Sequence, residues 1–150
     1  MGGSIQNSYG KMPKGFKGQI ANSNPITKEN SVAVTAVRVG TFVAYKDNGI
    51  EQITNANKAN EAGVALKSSI LDGEIFSAGE SVTVAKKAPV YMYCETACTK
   101  GAKVFVRHTD SGDLLAGDVR NNADTDKAYQ HATATFAETL TTAGLVEINL

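Results

Sequence analysis

Apolar and polar residues alternate along most of this chain, and the alternation has period two. From Ser31 to Tyr45 the chain reads S-V-A-V-T-A-V-R-V-G-T-F-V-A-Y. Val32, Val34 and Ala36 fall on one face, and Ala33, Thr35 and Val37 on the other, which is strand spacing and not helix spacing. Val, Phe and Tyr suit a pleated, half-buried surface. Gly40 interrupts the run, so the pattern predicts one bent strand or two strands joined there. Lys46-Asp47-Asn48-Gly49 follows, and Asn-Gly between apolar runs predicts a hairpin returning through Ile50 to Ile53.

Further short apolar runs succeed one another. They are Gly63 to Leu66, Ile75-Phe76, Ser81 to Val84, Val90 to Tyr93 behind Pro89, Lys103 to Arg107, Leu114-Leu115, Gln130 to Leu140, and Leu145 to Leu150. In the last run Leu145 and Glu147 oppose Val146 and Ile148. Turn chemistry separates the runs: Leu71-Asp72-Gly73-Glu74, Ala78-Gly79-Glu80, an exposed turn at Lys86-Lys87, Thr109 to Asp113, Ala116-Gly117-Asp118, and a polar loop from Arg120 to Lys127. Two weak helical signals stand against this background, one within residues 54–62 and a single turn over Glu95 to Lys100 that ends at Gly101. Strands at this spacing predict a mostly β fold, a compact barrel or sandwich of short antiparallel strands.

The first thirty residues differ. Met1 to Gly18 holds Gly2, Gly3, Gly10, Gly15 and Gly18, with Lys11, Lys14 and Lys17 between them and only Ile5, Tyr9, Met12 and Phe16 as larger apolar side chains. Such a segment cannot bury enough surface to fold alone. The expected organisation is an extended N-terminal arm over residues 1–30 and one β-rich domain over 31–150.

Composition narrows the function classes. The 150 residues make one domain's worth of chain, able to bury about two-thirds of its unfolded surface. Fifteen basic and fifteen acidic residues cancel, so no electrostatic pull toward nucleic acid or an anionic membrane is expected. No apolar run approaches the ~20 residues of a membrane helix. The N-terminus carries no apolar signal core, and a chain made in a cytoplasm is expected.

No phosphate-binding glycine loop and no G-x-S-x-G elbow occur. His108 and His131 each stand beside a threonine and read as packing or solvated side chains. Cys94 and Cys98, spaced C-x-x-x-C, supply one pair where a structural zinc site needs four ligands, so free thiols are expected. The Asp110 to Asp118 and Asp124 to Asp126 loops miss the EF-hand pattern and read as turns. No catalytic residue, metal or cofactor is expected. Exposed tyrosines gathered in one groove, with Tyr91, Tyr93 and Tyr129 as candidates, would favour a carbohydrate- or receptor-binding module on a virion surface instead.

The arm carries Tyr9-x-x-x-Pro13-x-Gly15-x-x-Gly18-Gln19-Ile20-Ala21-Asn22-Ser23-x-Pro25. This resembles the N-terminal signature of structural cement (capsid decoration) proteins of tailed bacteriophages, with Asn22 where Asp is commoner. Gly40 to Tyr45, Gly63-Val64-Ala65, Gly79-x-x-Val82-x-Val84, Val90-Tyr91-Met92 and Gly101 to Val106 extend the resemblance over most of the chain. It implies a virion protein on the outer surface of an icosahedral head, bound to the major capsid protein and cementing neighbouring subunits. A homotrimer at three-fold or quasi-three-fold positions is the implied state. The implied capsid-binding residues lie in the arm: Tyr9, Met12, Pro13, Gly15, Phe16, Gly18, Gln19, Ile20 and Pro25.

Overall fold

The computed structural model describes residues 15–22, 26–67 and 74–150. The first half of the chain builds β1 (Thr27–Val32), β2 (Val37–Arg38), β3 (Phe42–Lys46), β4 (Gly49–Gln52), β5 (Glu61–Ala65), β6 (Ile75–Phe76) and β7 (Ser81–Lys87). The second half builds β8 (Pro89–Cys94), β9 (Lys103–Arg107), β10 (Val119–Arg120), β11 (Ala128–Phe136) and β12 (Gly144–Asn149). The halves form separate sheets. One is five-stranded, in the order β1-β7-β5-β3-β4. The other closes into a barrel, in the order β10-β8-β12-β11-β9. Only Ala88 separates β7 from β8. Pairing between the named strands is antiparallel except where β10 meets β8 through Val119 and Cys94, and the isolated Ala33–Ile50 bridge is parallel too.

Closure removes the edges that a small sheet otherwise leaves open to unwanted pairing. The barrel closes through β10, which meets β8 only at Cys94 and leaves the start of β8 for another segment to pair. The five-stranded sheet curls until its ends meet, with Ala33 bridging Ile50 and the Val34 amide donating to the Ile50 carbonyl at 2.8 Å. β2 and β6 pair as a small flap, Val37 with Phe76 and Arg38 with Ile75.

The middle of the sheet is apolar on both faces, which explains the unbroken apolar runs at Phe42–Ala44 and Ala62–Leu66. Phe42, Ala44, Val64 and Ala85 join Val90, Met92, Val104, Val106, Phe136, Val146 and Ile148 in the large core under the barrel. Val43, Ala65, Val82 and Val84 face the other way, into a smaller core with Val37, Val39, Ile50 and Phe76. Neighbouring residues on β3 therefore serve opposite cores.

Several local expectations are corrected. The run from Ser31 to Tyr45 is three strands, β1, β2 and β3, with Gly40 at φ +72° between the last two. β1 begins at Thr27, so residues 27–30 are sheet. The hairpin stands where Lys46-Asp47-Asn48-Gly49 placed it, with Lys46 paired to Gly49; its two turn residues are Asp47, at φ +51°, and Asn48. Gly49 lies within β4, where a Cβ would strike the Val32 carbonyl oxygen, so close approach of β1 demands the glycine. Lys86-Lys87 is no turn but the end of β7. The helical signal in 54–62 yields only a 3-10 turn at Lys58–Asn60, and residues 95–100 form none. Leu114 closes a turn onto Ser111 in place of a strand.

Candidate functional site at the root of the arm

The last part of the arm is a strap lying across the joint between sheet and barrel. Gly18 donates its amide to the Tyr91 carbonyl at 2.8 Å, and Tyr91 donates back to Gln19 at 3.0 Å. Ile20 bridges Val90, and Ala21 donates to Pro89 at 2.8 Å. Residues 18–21 thus extend the barrel beside β8. On the opposite side Lys67 donates its amide to the Gly18 carbonyl at 3.0 Å, joining the strap to the end of β5. Ile20 packs against the large core.

Glycine makes this approach possible. Gly18 sits at φ +80°, and a Cβ there would lie 2.9 Å from the Lys67 nitrogen and from Val39 Cγ1. A Cβ on Gly40 would lie 2.6 Å from Lys17 Cβ and 2.8 Å from the Gly18 nitrogen. Both contacts join the strap to its own body.

Lys17 adds a polar anchor. Its Nζ is 3.3 Å from Asp118 Oδ1, and Arg38 Nη1 is 3.5 Å from Asp118 Oδ2. Arg38 also donates to the Ala116 carbonyl. Burial holds the Asp118 carboxyl above its ordinary value, although the two cations pull it down.

Around this root the surface is concave and apolar side chains stand out from it. Phe16 is 51% exposed, Ile75 55% and Leu115 37%. Phe16, Lys17, Val39, Lys67 and Glu74 line one depression, and Lys17, Arg38, Val39, Glu74, Ile75 and Leu115 line the next. A third, beside Phe16, runs past Gly18, Gln19 and Ile20 to Lys28 and Thr83. The depressions share walls and form one face, a shallow valley with Phe16 on one bank and Ile75 and Leu115 on the other.

Of the residues implied by resemblance, Gly15, Phe16, Gly18, Gln19 and Ile20 come together here. Phe16 alone among them is a large exposed apolar side chain. Gln19 Oε1 accepts from the Phe16 amide at 3.1 Å, and Gly18 and Ile20 are engaged by the body. Tyr9, Met12, Pro13 and Pro25 lie outside the described residues. Ile75 and Leu115 were not legible as site residues, because each is an apolar residue in a short, turn-rich stretch.

A second polar cluster lies at the barrel. Arg107 is fully buried, with Nε 2.7 Å from Glu95 Oε2 and Nη2 2.5 Å from Asp124 Oδ2. Arg120 Nη1 reaches Glu95 Oε1 at 2.8 Å, and its Nη2 donates to Asn122 Oδ1 at 3.0 Å. The Arg107 hydrogen bond, with both arginine charges nearby, holds the Asp124 carboxyl below its ordinary value. These pairs saturate one another and present no open donor set.

The remaining candidates resolve into packing. His131 Nε2 is 2.5 Å from Glu61 Oε1, and its Nδ1 accepts from the Thr133 and Ala134 amides, so it ties the barrel to β5. His108 Nδ1 lies 2.8 Å from Thr109 Oγ1, and burial lowers its pKa. Cys94 and Cys98 are free and buried, and burial pushes the Cys94 thiol up to about 11. Tyr129 packs against the core with its hydroxyl buried, whereas Tyr93 is exposed, so the three tyrosines form no common groove.

Fold and face together describe a β protein with a strap fixed across its joint and exposed apolar side chains around that strap. The sequence model of the structural cement protein family (E217 gp24/Pam3 gp6) matches residues 5–150, and the chain belongs to that family. No curated protein sequence matches it. Among solved structures, a chain described as the capsid of Myoviridae Phage XM1 is 17% identical, with a TM-score of 0.78 over 93% of this chain and 91% of that one. At that identity the likeness establishes the fold. Family membership makes the protein a bacteriophage structural protein, a virion component associated with capsid shell proteins.

Proposed function

We propose that the protein binds the outer surface of an icosahedral head and cements neighbouring major capsid subunits, as a homotrimer at three-fold or quasi-three-fold positions. The arm supplies the reach: Tyr9, Met12, Pro13, Phe16 and Pro25 contact the shell, while Gly15, Gly18, Gln19 and Ile20 fix where the arm leaves the body. The observation that carries this reading is the strap. A segment too polar to fold alone is held at its root by four backbone hydrogen bonds and the Ile20–Val90 bridge, beside an apolar face.

The physics favours such an attachment. A shell under internal DNA pressure is stabilised by contacts that span its subunits. Many copies on one lattice turn modest single contacts into firm holding. Ordering an arm costs entropy at binding, and the strap reduces that cost by fixing its base beforehand.

Deletion of residues 1–14 tests the reading, because it leaves the strap in place. Heads lacking the protein are mixed with full-length or shortened protein and sedimented. Full-length protein should saturate at a copy number set by the lattice. The shortened protein should keep its melting temperature and bind on the order of 100-fold more weakly. Equal occupancy by both would overturn the arm's role. Sedimentation velocity of the free protein reads the trimer directly.

A further inference from the structure

We propose that the capsid footprint is bipartite. Besides the arm, the body face formed by Phe16, Ile75 and Leu115 packs against an apolar element of the major capsid protein. This rests on the head-binding reading above and adds to it Ile75 and Leu115, two residues of the body that stand beside the arm's Phe16.

Three observations lead there. First, Phe16, Ile75 and Leu115 are three of the five large apolar side chains exposed among the described residues; Phe16 lines one depression, and Ile75 and Leu115 line the next, which shares Lys17, Val39 and Glu74 with it. Scattered single apolar residues need no explanation, but a cluster around a concavity marks an interaction site. Second, the chain outside the described structure ends at this face. Residue 14 joins Gly15, which precedes Phe16. Pro13 and Met12 are three and four residues from Phe16, so they lie within roughly 15 Å of it however the arm runs. Whatever surface those residues grip must adjoin this face. Third, the valley floor is polar while its rim is apolar: Lys17 and Arg38 are held by the two oxygens of Asp118, and Lys67 and Glu74, of opposite charge, line the floor beside them. The exposed rim of Phe16, Ile75 and Leu115 therefore fits an apolar loop or strand end of the shell protein.

This arrangement makes separate predictions for the two parts of the footprint. The body face contributes through burial of apolar surface, so its share of affinity should change little with salt. It should also survive removal of the arm, since no arm residue before Gly15 is needed to build it.

The test uses the full-length protein with Ile75→Ser and Leu115→Ser together, on heads lacking the protein. Both side chains are exposed, so the free protein should melt as the unchanged chain does. Head affinity should fall on the order of 100-fold, about tenfold for each lost anchor, equally in low and high salt. Affinity within about twofold of the unchanged protein, while deletion of residues 1–14 still weakens binding, would overturn this inference and leave the head-binding reading standing. Failure of the unchanged protein to bind heads would remove both. Loss of self-association in sedimentation velocity, with head affinity retained, would assign the face to a second copy and overturn the proposal. Should the double variant misfold, hydroxyl-radical footprinting of the unchanged protein decides the matter. Phe16, Ile75 and Leu115 should be protected on heads, and labelling equal to that of the free protein would reject the contact.

Discussion

Two clusters of arginine, lysine and carboxylate join distant parts of this chain, and they do so under opposite conditions. At the barrel, Arg107 and Glu95 have side chains 0% and 1% exposed. At the arm root, Lys17 and Arg38 are 26% and 23% exposed around a buried Asp118. The barrel cluster has geometry good enough to offset desolvation: Arg107 donates from Nε to Glu95, from Nη2 to Asp124 and from Nη1 to the Thr109 carbonyl. It holds a loop in which Asp124, Thr125 and Asp126 have φ of +46°, +54° and +65°. Left-handed backbone costs non-glycine residues about 1–2 kcal/mol each, so the loop needs such an anchor. The arm-root cluster faces no run of that kind. It fixes the strap to the body beside the exposed Phe16, Ile75 and Leu115. Burial thus separates a charge network that shapes a loop of the barrel from one that seats the strap.

The sharpest way to break this contrast is Arg107→Met. Among the described residues, it leaves Arg120 as the one remaining cationic partner of both the buried Glu95 and Asp124, at 2.8 and 3.5 Å. A loss of about 3–5 kcal/mol is expected in urea unfolding. Replacing Glu95 as well, by Leu, should recover part of it, because a desolvated carboxylate that has lost one of its two arginines is removed while Arg120 keeps Asn122 and Asp124. If Arg107→Met costs less than ~1 kcal/mol, the barrel cluster does not anchor the loop. The folded fraction should dock on heads as before.

Gly40→Ala probes the strap with a smaller effect. The substitution combines a left-handed φ with a Cβ 2.6 Å from Lys17 Cβ. We expect a loss of about 1–3 kcal/mol and faster hydrogen exchange at the Gly18 and Ala21 amides. Gly79→Ala is the control, since Gly79 has φ +91° but no neighbouring atom within 4 Å of where its Cβ would stand. It should cost the backbone share alone and leave strap exchange unchanged. Equal exchange in both variants would mean that Gly40 does not seat the strap.

The same contrast explains what could be read from the sequence. Ser81 to Val84, Lys103 to Arg107 and Leu145 to Asn149 alternate because one face of each meets a core, and these strands were legible. β1, with the sequence T-K-E-N-S-V, was not, since it pairs through its backbone while its side chains are largely exposed. Closure of the barrel depends on β10, a two-residue strand with no pattern to detect. Arg107 read as the charged end of a strand, yet it is buried, because its partner Glu95 lies twelve residues earlier at no diagnostic spacing. Phe16 was visible in the arm motif. Its neighbours Ile75 and Leu115 reach it only through the fold, from the β2–β6 flap and the turn before β10.

The finest comparison is between two carboxylates, Asp124 and Asp118, that titrate in opposite directions from the same ordinary value of 3.8. Hydrogen bonding to Arg107 lowers Asp124, so on acidification the unfolded chain takes up its proton first. Asp124 therefore contributes stability that is present above 3.8 and is lost as pH falls through its folded value. Burial raises Asp118, so above 3.8 it is the folded chain that holds the extra proton. Its contribution weakens as pH rises from 3.8 through the raised value. Asp124→Asn should flatten the loss of stability below pH 3.8, whereas Asp118→Asn should steepen the loss on acidification just above it. Urea midpoints at closely spaced pH values would read both slopes. If both substitutions changed the slope on the same side of 3.8, the two clusters would not differ in the way their burial implies, and the arm root would be a second fold anchor instead of a seat for the strap.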